Sequence, residues 1–250
     1  MTELDLIIDL HKGTLRQGPG SEKETLKAFE LTGLPFDKEL SVADIGCGTG
    51  ASITALATVT QAQFVGIDLF PSFLNALEQN AQNLKLGDRI QTLQKSMEDL
   101  SFEENSLDLI WSEGAIYNMG FEKGIREWRT FVKPGGYLAV SEITWITPTR
   151  PQEIEDYWQG QYPEIATASD KINVLERNGW SLTGYFILQP SSWLENYYQP
   201  IEDNYEAFLE RHHNSATAKG IVAAYQDEIK WFKNYHSYYN YGFYIAKKSQ

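Results

Sequence analysis

"VADIGCGTG", residues 42–50, joins two runs of different character. Before it, "LSVADI" (40–45) is short, apolar and β-branched and stops at glycine, which reads as a buried strand. After it, "ASITALATV" (51–59) reads as a helix. Gly46, Gly48 and Gly50 permit a tight turn and close approach of a ligand to the backbone. The helix beyond them offers free N–H groups in its first turn. The spacing is G-x-G-x-G, not the G-x-G-x-x-G of pyrophosphate-binding turns, and Asp44 stands just before it. An anion there opposes a diphosphate and suits a ligand with a cationic amine. Asp68 ends the next apolar run, where a carboxylate can accept both hydroxyls of a ribose. Together these residues imply a ligand with an adenosine-like ribose, a positive end and no diphosphate. A plain strand-to-helix turn would need neither acid.

Working outward, strand and helix signals alternate. "AQFVGID" (62–68), "RIQTLQ" (89–94), "SLDLIWS" (106–112) and "YLAVSEI" (137–143) read as strands, with helices over 71–85 and 120–132. Such alternation implies a parallel α/β sheet covered on both faces, with ligands at the C-terminal ends of the strands. Upstream, 4–10 and 22–31 read as helices, the second opened by "RQGPGS" (16–21) with Ser21 and Glu24 in capping-box spacing. Downstream, 145–168 holds three prolines and little periodicity, and reads as a loop-rich insert. A helix (169–178), a strand (182–188), two helices within 192–234 and a last strand (240–247) follow. No linker interrupts the chain, so residues 1–250 form one domain.

The 250 residues are 42% hydrophobic, enough for a sizeable core, and carry a net charge of −13. That balance excludes a broad basic face for nucleic acid or an anionic membrane, and reads as solubility. One cysteine, Cys47, allows no intrachain disulfide and suits a reducing compartment. The N-terminus has no basic n-region, and no apolar run reaches the ~20 residues of a membrane helix, so a cytoplasmic location is expected.

D-x-G-C-G-T-G at Asp44–Gly50 resembles motif I of the class I S-adenosylmethionine-dependent methyltransferases, and Asp68 resembles their ribose-binding acid. "KSMEDLSF" (95–102), "SLDLIWSEGAIYNMG" (106–120) and "FVKPGGYLAVSE" (131–142) resemble three further segments of that family, in its order. The resemblance spans about residues 40–145 and is similar to the menaquinone, sterol and small-amine branch. It implies a Rossmann-like, seven-stranded, mostly parallel sheet with an antiparallel last strand and helical, aromatic insertions in the C-terminal half. It implies S-adenosyl-L-methionine as cofactor and a small-molecule methyl acceptor as partner. Residues 1–39 are then a helical segment over the site, 40–144 the cofactor-binding core, and 145–168 and 191–237 substrate-side insertions.

On this resemblance the cofactor meets Asp44, Gly46, Cys47, Gly48, Gly50, Asp68, Leu69, Ser96, Met97, Glu98 and Ser112, with Arg16 and Gly20 at its carboxylate end. Ser96 replaces the family's usual Asp on the adenine amine, with Glu98 beside it to compensate. Cys47 itself reads as a packing residue. Glu113 and Tyr117 follow the fourth strand, where the reacting methyl should lie. Glu113 is the first candidate for a base or substrate-orienting group and His212 a distant one; Tyr117 is a pocket wall. A satisfied polar group and a core aromatic are the competing readings. His11, His212, His213 and His236 show no metal-ligand spacing with acids, so no metal is expected. Trp145, Tyr157, Trp158, Tyr162, Trp193, Tyr197 and Tyr198 crowd the inserts, most as packing and one or two facing the pocket. Two other classes stay open: a nicotinamide-dependent oxidoreductase, and a cofactor-binding module without turnover. The sequence leaves the oligomeric state open, with a homodimer among the options.

Overall fold

The fold is described for residues 2–249 in a computed structural model. Strands β1 (Ser41–Ile45), β2 (Gln63–Asp68), β3 (Ile90–Gln94), β4 (Leu107–Glu113) and β5 (Val132–Trp145) pair in parallel. The two-residue β6 (Ala166–Thr167) pairs with the end of β5. β7 (Trp180–Ile187) lies at the edge, and β8 (Tyr239–Lys248) fits antiparallel between β5 and β7. The main path is β3-β2-β1-β4-β5-β8-β7, so it holds seven strands and an antiparallel last one, as the resemblance implies. The strand order reverses between β1 and β4. Chains leaving those two strands diverge there, and a crevice opens at their C-terminal ends.

Among the described residues there are ten α-helices: α1 (Glu3–His11), α2 (Glu22–Thr32), α3 (Ala51–Val59), α4 (Pro71–Asn83), α5 (Phe121–Trp128), α6 (Gln152–Gln161), α7 (Ala168–Arg177), α8 (Pro190–Trp193), α9 (Gln199–Arg211) and α10 (Ala216–Tyr235). The two-residue period of the strands sorts side chains to the two faces. On β4, Leu109 and Trp111 enter one core and Ile110 the other; on β8, Phe243 and Ile245 part from Tyr244 and Ala246 in the same way. The first core packs under α2, α3, α4 and the α8–α10 region, through Phe29, Leu56, Leu74, Trp193 and Phe232. The second lies under α5 and α7, through Phe121, Ile125, Trp128 and Leu175.

Two expectations change. The segment 145–168 is not loop-rich: it contains α6 and β6. α6 fully buries only Ile154, so it has no apolar stripe to announce it. Strand β5 begins at Val132, ahead of the expected 137, because Lys133-Pro134-Gly135-Gly136 is carried as a bulge within it. Leu107 pairs with Val132 and Leu109 with Tyr137, so three extra residues are looped out on the β5 side.

α7 is pinned to the sheet by Lys171, whose ammonium lies 2.9 Å from Glu142 on β5 with side chains 3% and 0% exposed. Burial raises the Glu142 carboxyl, and the lysine opposes this. Removing one partner leaves the other charge buried and alone. Lys171→Met is expected to lose about 3–5 kcal/mol in urea denaturation, and Lys171→Met with Glu142→Leu to regain most of it. A single variant as stable as the parent refutes the pin.

Candidate active site

A cavity of about 500 Å³ opens at the C-terminal ends of β1, β2 and β4. Its floor is the glycine turn. Gly46 and Cys47 donate their N–H groups to the Ile67 carbonyl (2.8 and 3.0 Å), which ties the turn to β2. Gly46, Gly48 and Gly50 all have positive φ, at 76°, 54° and 84°, where only glycine is unstrained. Side chains of this protein fill the space that a Cβ would need. At Gly46 it would meet Ala115 Cβ at 2.3 Å, at Gly48 Gln17 Oε1 at 2.3 Å, and at Gly50 Leu77 Cδ1 at 2.2 Å.

The two acids sit differently. Asp68 lines the cavity, half-buried; its carboxylate accepts from the Gly48 N–H (2.9 Å) and the Phe70 N–H (3.0 Å). Burial raises its carboxyl, and these amides pull against that shift. Asp44 is 1% exposed and is not part of the cavity wall. Its Oδ2 accepts from the Ser52 hydroxyl at 2.5 Å, and Ser52 does line the cavity. Its Oδ1 is buried and has no partner among the described residues. Burial, helped by the charges of Glu113 and Asp68, pushes the Asp44 carboxyl up to about 8. Asp44 is therefore neutral at neutral pH until a cation approaches it.

The N-terminal segment forms one wall. Arg16 Nη1 donates to Glu113 Oε2 at 2.7 Å, and Nη2 donates to Thr25 Oγ1 at 3.2 Å. Glu113 Oε1 accepts from Thr25 Oγ1 (2.7 Å) and from the Trp111 indole (2.9 Å). Both oxygens of Glu113 are thus occupied, and the structure makes it an anchor for residues 16–25 rather than a free base. Arg16 is likewise committed to Glu113. A Cβ on Gly20 would fall 2.7 Å from Arg16 Nη1 and 3.0 Å from Glu113 Oε2, so Gly20 makes room for the ion pair. The Ser21 hydroxyl caps α2 by accepting from the Glu24 N–H. The Glu24 carboxylate accepts from the Ser21 hydroxyl (2.7 Å) and also from the Gln189 N–H and the Ser192 hydroxyl (2.7 and 2.5 Å), which fastens α2 to the start of α8.

Of the residues singled out in the sequence, Arg16, Gly46, Cys47, Gly48, Asp68, Leu69, Ser96, Met97, Glu98, Glu113 and Tyr117 line the cavity. Gly20, Asp44, Gly50 and Ser112 do not. Gly50 is the N-cap of α3, and the Ser112 hydroxyl donates to the Ile45 carbonyl at 2.8 Å, closing β4 onto β1. Glu98 is paired with Lys123, and Ser96 Oγ accepts from the Glu98 N–H at 3.2 Å. The Cys47 side chain is buried in the first core, and burial pushes its thiol well up, away from the nucleophilic thiolate. Tyr117 is 41% exposed, edge-on to Tyr162. His212 lies off the cavity, 2.9 Å from Asp9, which leaves no role for it as a base. Of the seven insert aromatics, Tyr197 alone lines the cavity, and no residue of 145–168 does. Among the described residues no three His, Cys, Asp or Glu side chains converge as a metal site.

Sequence reasoning missed Gln17, Thr25 and His11. Gln17 Oε1 accepts from the Thr49 N–H at 2.8 Å, so one amide of the turn just ahead of α3 is already occupied. The one available signal was α1, whose Leu4, Ile7, Ile8 and His11 recur at helical spacing and all line the cavity.

Residues 43–140 match the family model described as "Methyltransferase domain". The erythromycin 3''-O-methyltransferase of Saccharopolyspora erythraea is 36% identical over 107 residues, 41% of this chain and 34% of that protein. The demethylmenaquinone methyltransferase of Bacteroides fragilis is 29% identical over 118 residues, 46% of this chain and 47% of that protein. A SAM-dependent methyltransferase of Geobacter sulfurreducens, solved with S-adenosyl-L-homocysteine, superposes with a TM-score of 0.84 at 16% identity over 98% of each chain, which shows the shared fold. The chain spans about a third to a half of the length of these two curated relatives. The match over residues 43–140 falls on the stretch, about 40–145, where the motifs carry the resemblance.

If Glu113 anchors the N-terminal segment, Glu113→Gln weakens its hold on Arg16. Amide exchange over residues 14–20 is expected to speed up roughly tenfold, as for the loss of about 1.4 kcal/mol, while β1 and β2 stay protected. Unchanged exchange over 14–20 rules the anchor out.

Proposed function

We propose that the chain is an S-adenosylmethionine-dependent methyltransferase acting on a small-molecule acceptor. The observation that carries this reading is the pair of acids around one glycine turn. Asp68 is an amide-held carboxylate on the cavity wall, and Asp44 is a buried carboxyl with one unpartnered oxygen. They suit the two ends of one ligand, a ribose and a cationic amine, and the methyltransferase match over 43–140 supports the same cofactor. When bound, that cofactor supplies an electrophilic methyl group on a sulfonium.

Asp68 would hold the ribose, and Leu69, Ser96 and Met97 the adenine end. The Gly46–Gly48 turn would receive the amino-acid end, with Asp44 and Ser52 beneath its amine. Arg16, read from the sequence as a partner for the carboxylate, we assign to the wall through Glu113. The chain's own contribution is orientation and exclusion of water, supplied by α1 and residues 16–19 closing over the turn. We place the activity in the cytoplasm; no helix among the described residues is long and apolar enough to cross a membrane.

Titration with S-adenosylmethionine and with NAD, followed by transfer from methyl-labelled cofactor into a metabolite extract, tests the reading. Binding of the first and labelled product are expected. Tight binding of NAD alone returns the chain to the oxidoreductases, and binding with no label transferred across broad extracts makes it a module without turnover.

Asp44 gives a second check. Its carboxyl is raised to about 8, so at pH 7 it must lose a proton to pair with an amine. Binding of S-adenosylhomocysteine is therefore expected to release protons at pH 7, and affinity to rise from pH 6 toward pH 8 and then level. Calorimetry in buffers of different ionisation enthalpy reads this directly, and Asp44→Asn should abolish it. Equal heats in all buffers separate Asp44 from the amine.

A further inference from the structure

α1 delivers one histidine to the cavity, and the proposed mechanism so far gives it no work. His11 lines the cavity and is 4% exposed. Its Nε2 is 2.6 Å from the Tyr225 hydroxyl of α10. Its ring stacks on Tyr197, with centroids 5.9 Å apart and planes at 18°, and meets Tyr225 edge-on at 5.3 Å. The His11 carbonyl accepts from the Thr14 hydroxyl (2.8 Å) and the Gln17 amide (3.3 Å), and Gln17 in turn holds Thr49 at the glycine turn. The imidazole is thus held by Tyr225 and Tyr197, and its backbone by Thr14 and Gln17. Its other nitrogen, Nδ1, is buried and has no partner among the described residues. A buried polar atom left without a partner is destabilising, so a ligand that pairs with it gains accordingly.

The surroundings define what that ligand group can be. Among the cavity-lining residues the cations are Arg16, committed to Glu113, and Lys95, at the β3 end with Ser96 and Glu98. The lining acids are Asp68 at the ribose end, Glu98 paired with Lys123, and Glu113 paired with Arg16. Around His11 the lining is Leu4, Ile7, Ile8, Tyr117, Tyr197 and Tyr225, with no charged side chain. Burial pushes the imidazole down to about 4, so it is neutral at neutral pH. Glu228, whose charge reaches Tyr117, Tyr197 and Tyr225, is half-buried off the cavity and accepts from the Tyr198 hydroxyl at 3.0 Å, so a charged acceptor would meet no countercharge on the cavity wall here.

Hydrogen-bond accounting narrows the group further. Either member of the Nε2–Tyr225 pair can donate. If the phenol donates, Nδ1 carries the proton and offers an N–H. If Nε2 donates, Nδ1 offers a bare lone pair. A carbonyl satisfies only the first state and an ammonium only the second. A hydroxyl, both donor and acceptor, satisfies both.

We propose that His11 Nδ1 is the docking atom for a hydroxyl group on an uncharged, largely apolar methyl acceptor, with Tyr225 orienting the ring and Tyr117 and Tyr197 walling the pocket. This rests on the methyltransferase reading above. His11 contacts the acceptor; Tyr225 acts through His11 as a positioning residue.

Small probes test it without the true acceptor. The full chain, saturated with S-adenosylhomocysteine, is titrated with phenol, toluene, benzoate and benzylamine, and the ¹⁵N resonances of the His11 imidazole are followed. Phenol is expected to shift Nδ1 and to bind three- to tenfold more tightly than toluene, the range of one net hydrogen bond. Benzoate and benzylammonium should bind more weakly than phenol. His11→Phe should erase the preference for phenol over toluene while leaving S-adenosylhomocysteine affinity within twofold. Tyr225→Phe should move the Nε2 resonance and keep cofactor binding. Phenol binding without a shift at His11, or tighter binding of either charged probe, overturns the proposal. The parent resonance decides even if His11→Phe fails to fold. If S-adenosylhomocysteine does not bind, the cofactor reading fails by itself, and the same probes on the free chain still decide the hydroxyl site.

Discussion

The Arg16–Glu113 ion pair is the contact on which the site's closure depends. Its partners lie 97 residues apart, one in the N-terminal turn and one at the end of β4, with a 2.7 Å separation and side chains 9% exposed each. A buried pair of this kind is worth little to net stability, but breaking it is expensive. It therefore specifies an arrangement. Thr25 and Trp111 complete the coordination of Glu113, and Gly20 lacks the side chain that would collide with it. With Arg16 fixed, Gln17 reaches the glycine turn and Pro19 joins the cavity wall. Without it, residues 14–20 would lose their main tie to the sheet, and the crevice between β1 and β4 would lie open to water.

The same crevice gathers three acids in a chain already at −13, and each is handled by a different device. Glu113 is neutralised by a guanidinium. Asp68 is held by two backbone amides, which stabilise its charged form while leaving lone pairs for a ligand. Asp44 is fully buried with one hydroxyl for company, so it stays protonated. A cationic ligand group would change only the last. The site is thus arranged so that binding a positive charge meets one uncompensated carboxyl, and the free protein avoids accumulating three adjacent anions.

Much of this was legible in the sequence where the cause was local. The glycine turn could be read because a positive φ leaves few other residues possible, and Asp68 because strand β2 ends on it. The sheet could be read because buried parallel strands are short apolar runs between turns. What escaped had causes that spacing does not record. Glu113 looked like a base because its position at the end of β4 is right for one; its partners Arg16 and Thr25 come from the N-terminal segment, and no local pattern points to them. Gln17 drew no reading, because its partner Thr49 lies 32 residues away. α6 buries too little to show a period. His11 was weighed for metal ligation by its neighbours in sequence, whereas its partner Tyr225 comes from the last helix. The insert aromatics were read correctly in kind, since Trp193 stacks on Phe232 with centroids 4.5 Å apart and only Tyr197 of that group faces the cavity.

The clamp also sharpens the choice between cofactors. A pyrophosphate-binding turn works by presenting unpaired amides at a helix N-terminus to an anion. Here the amide of Thr49 is taken by Gln17, that of Gly48 by Asp68, and those of Gly46 and Cys47 by the Ile67 carbonyl. A diphosphate would have to displace Gln17, lie against Asp68, and force a proton to stay on Asp44. A ligand without phosphate asks for none of this: it needs a carboxylate for its hydroxyls and an acid that can ionise beside its amine. The spacing G-x-G-x-G was the sequence's hint of that difference, and the turn amides of residues 46–49, which the protein fills itself, bear it out, while no side chain caps the first turn of α3.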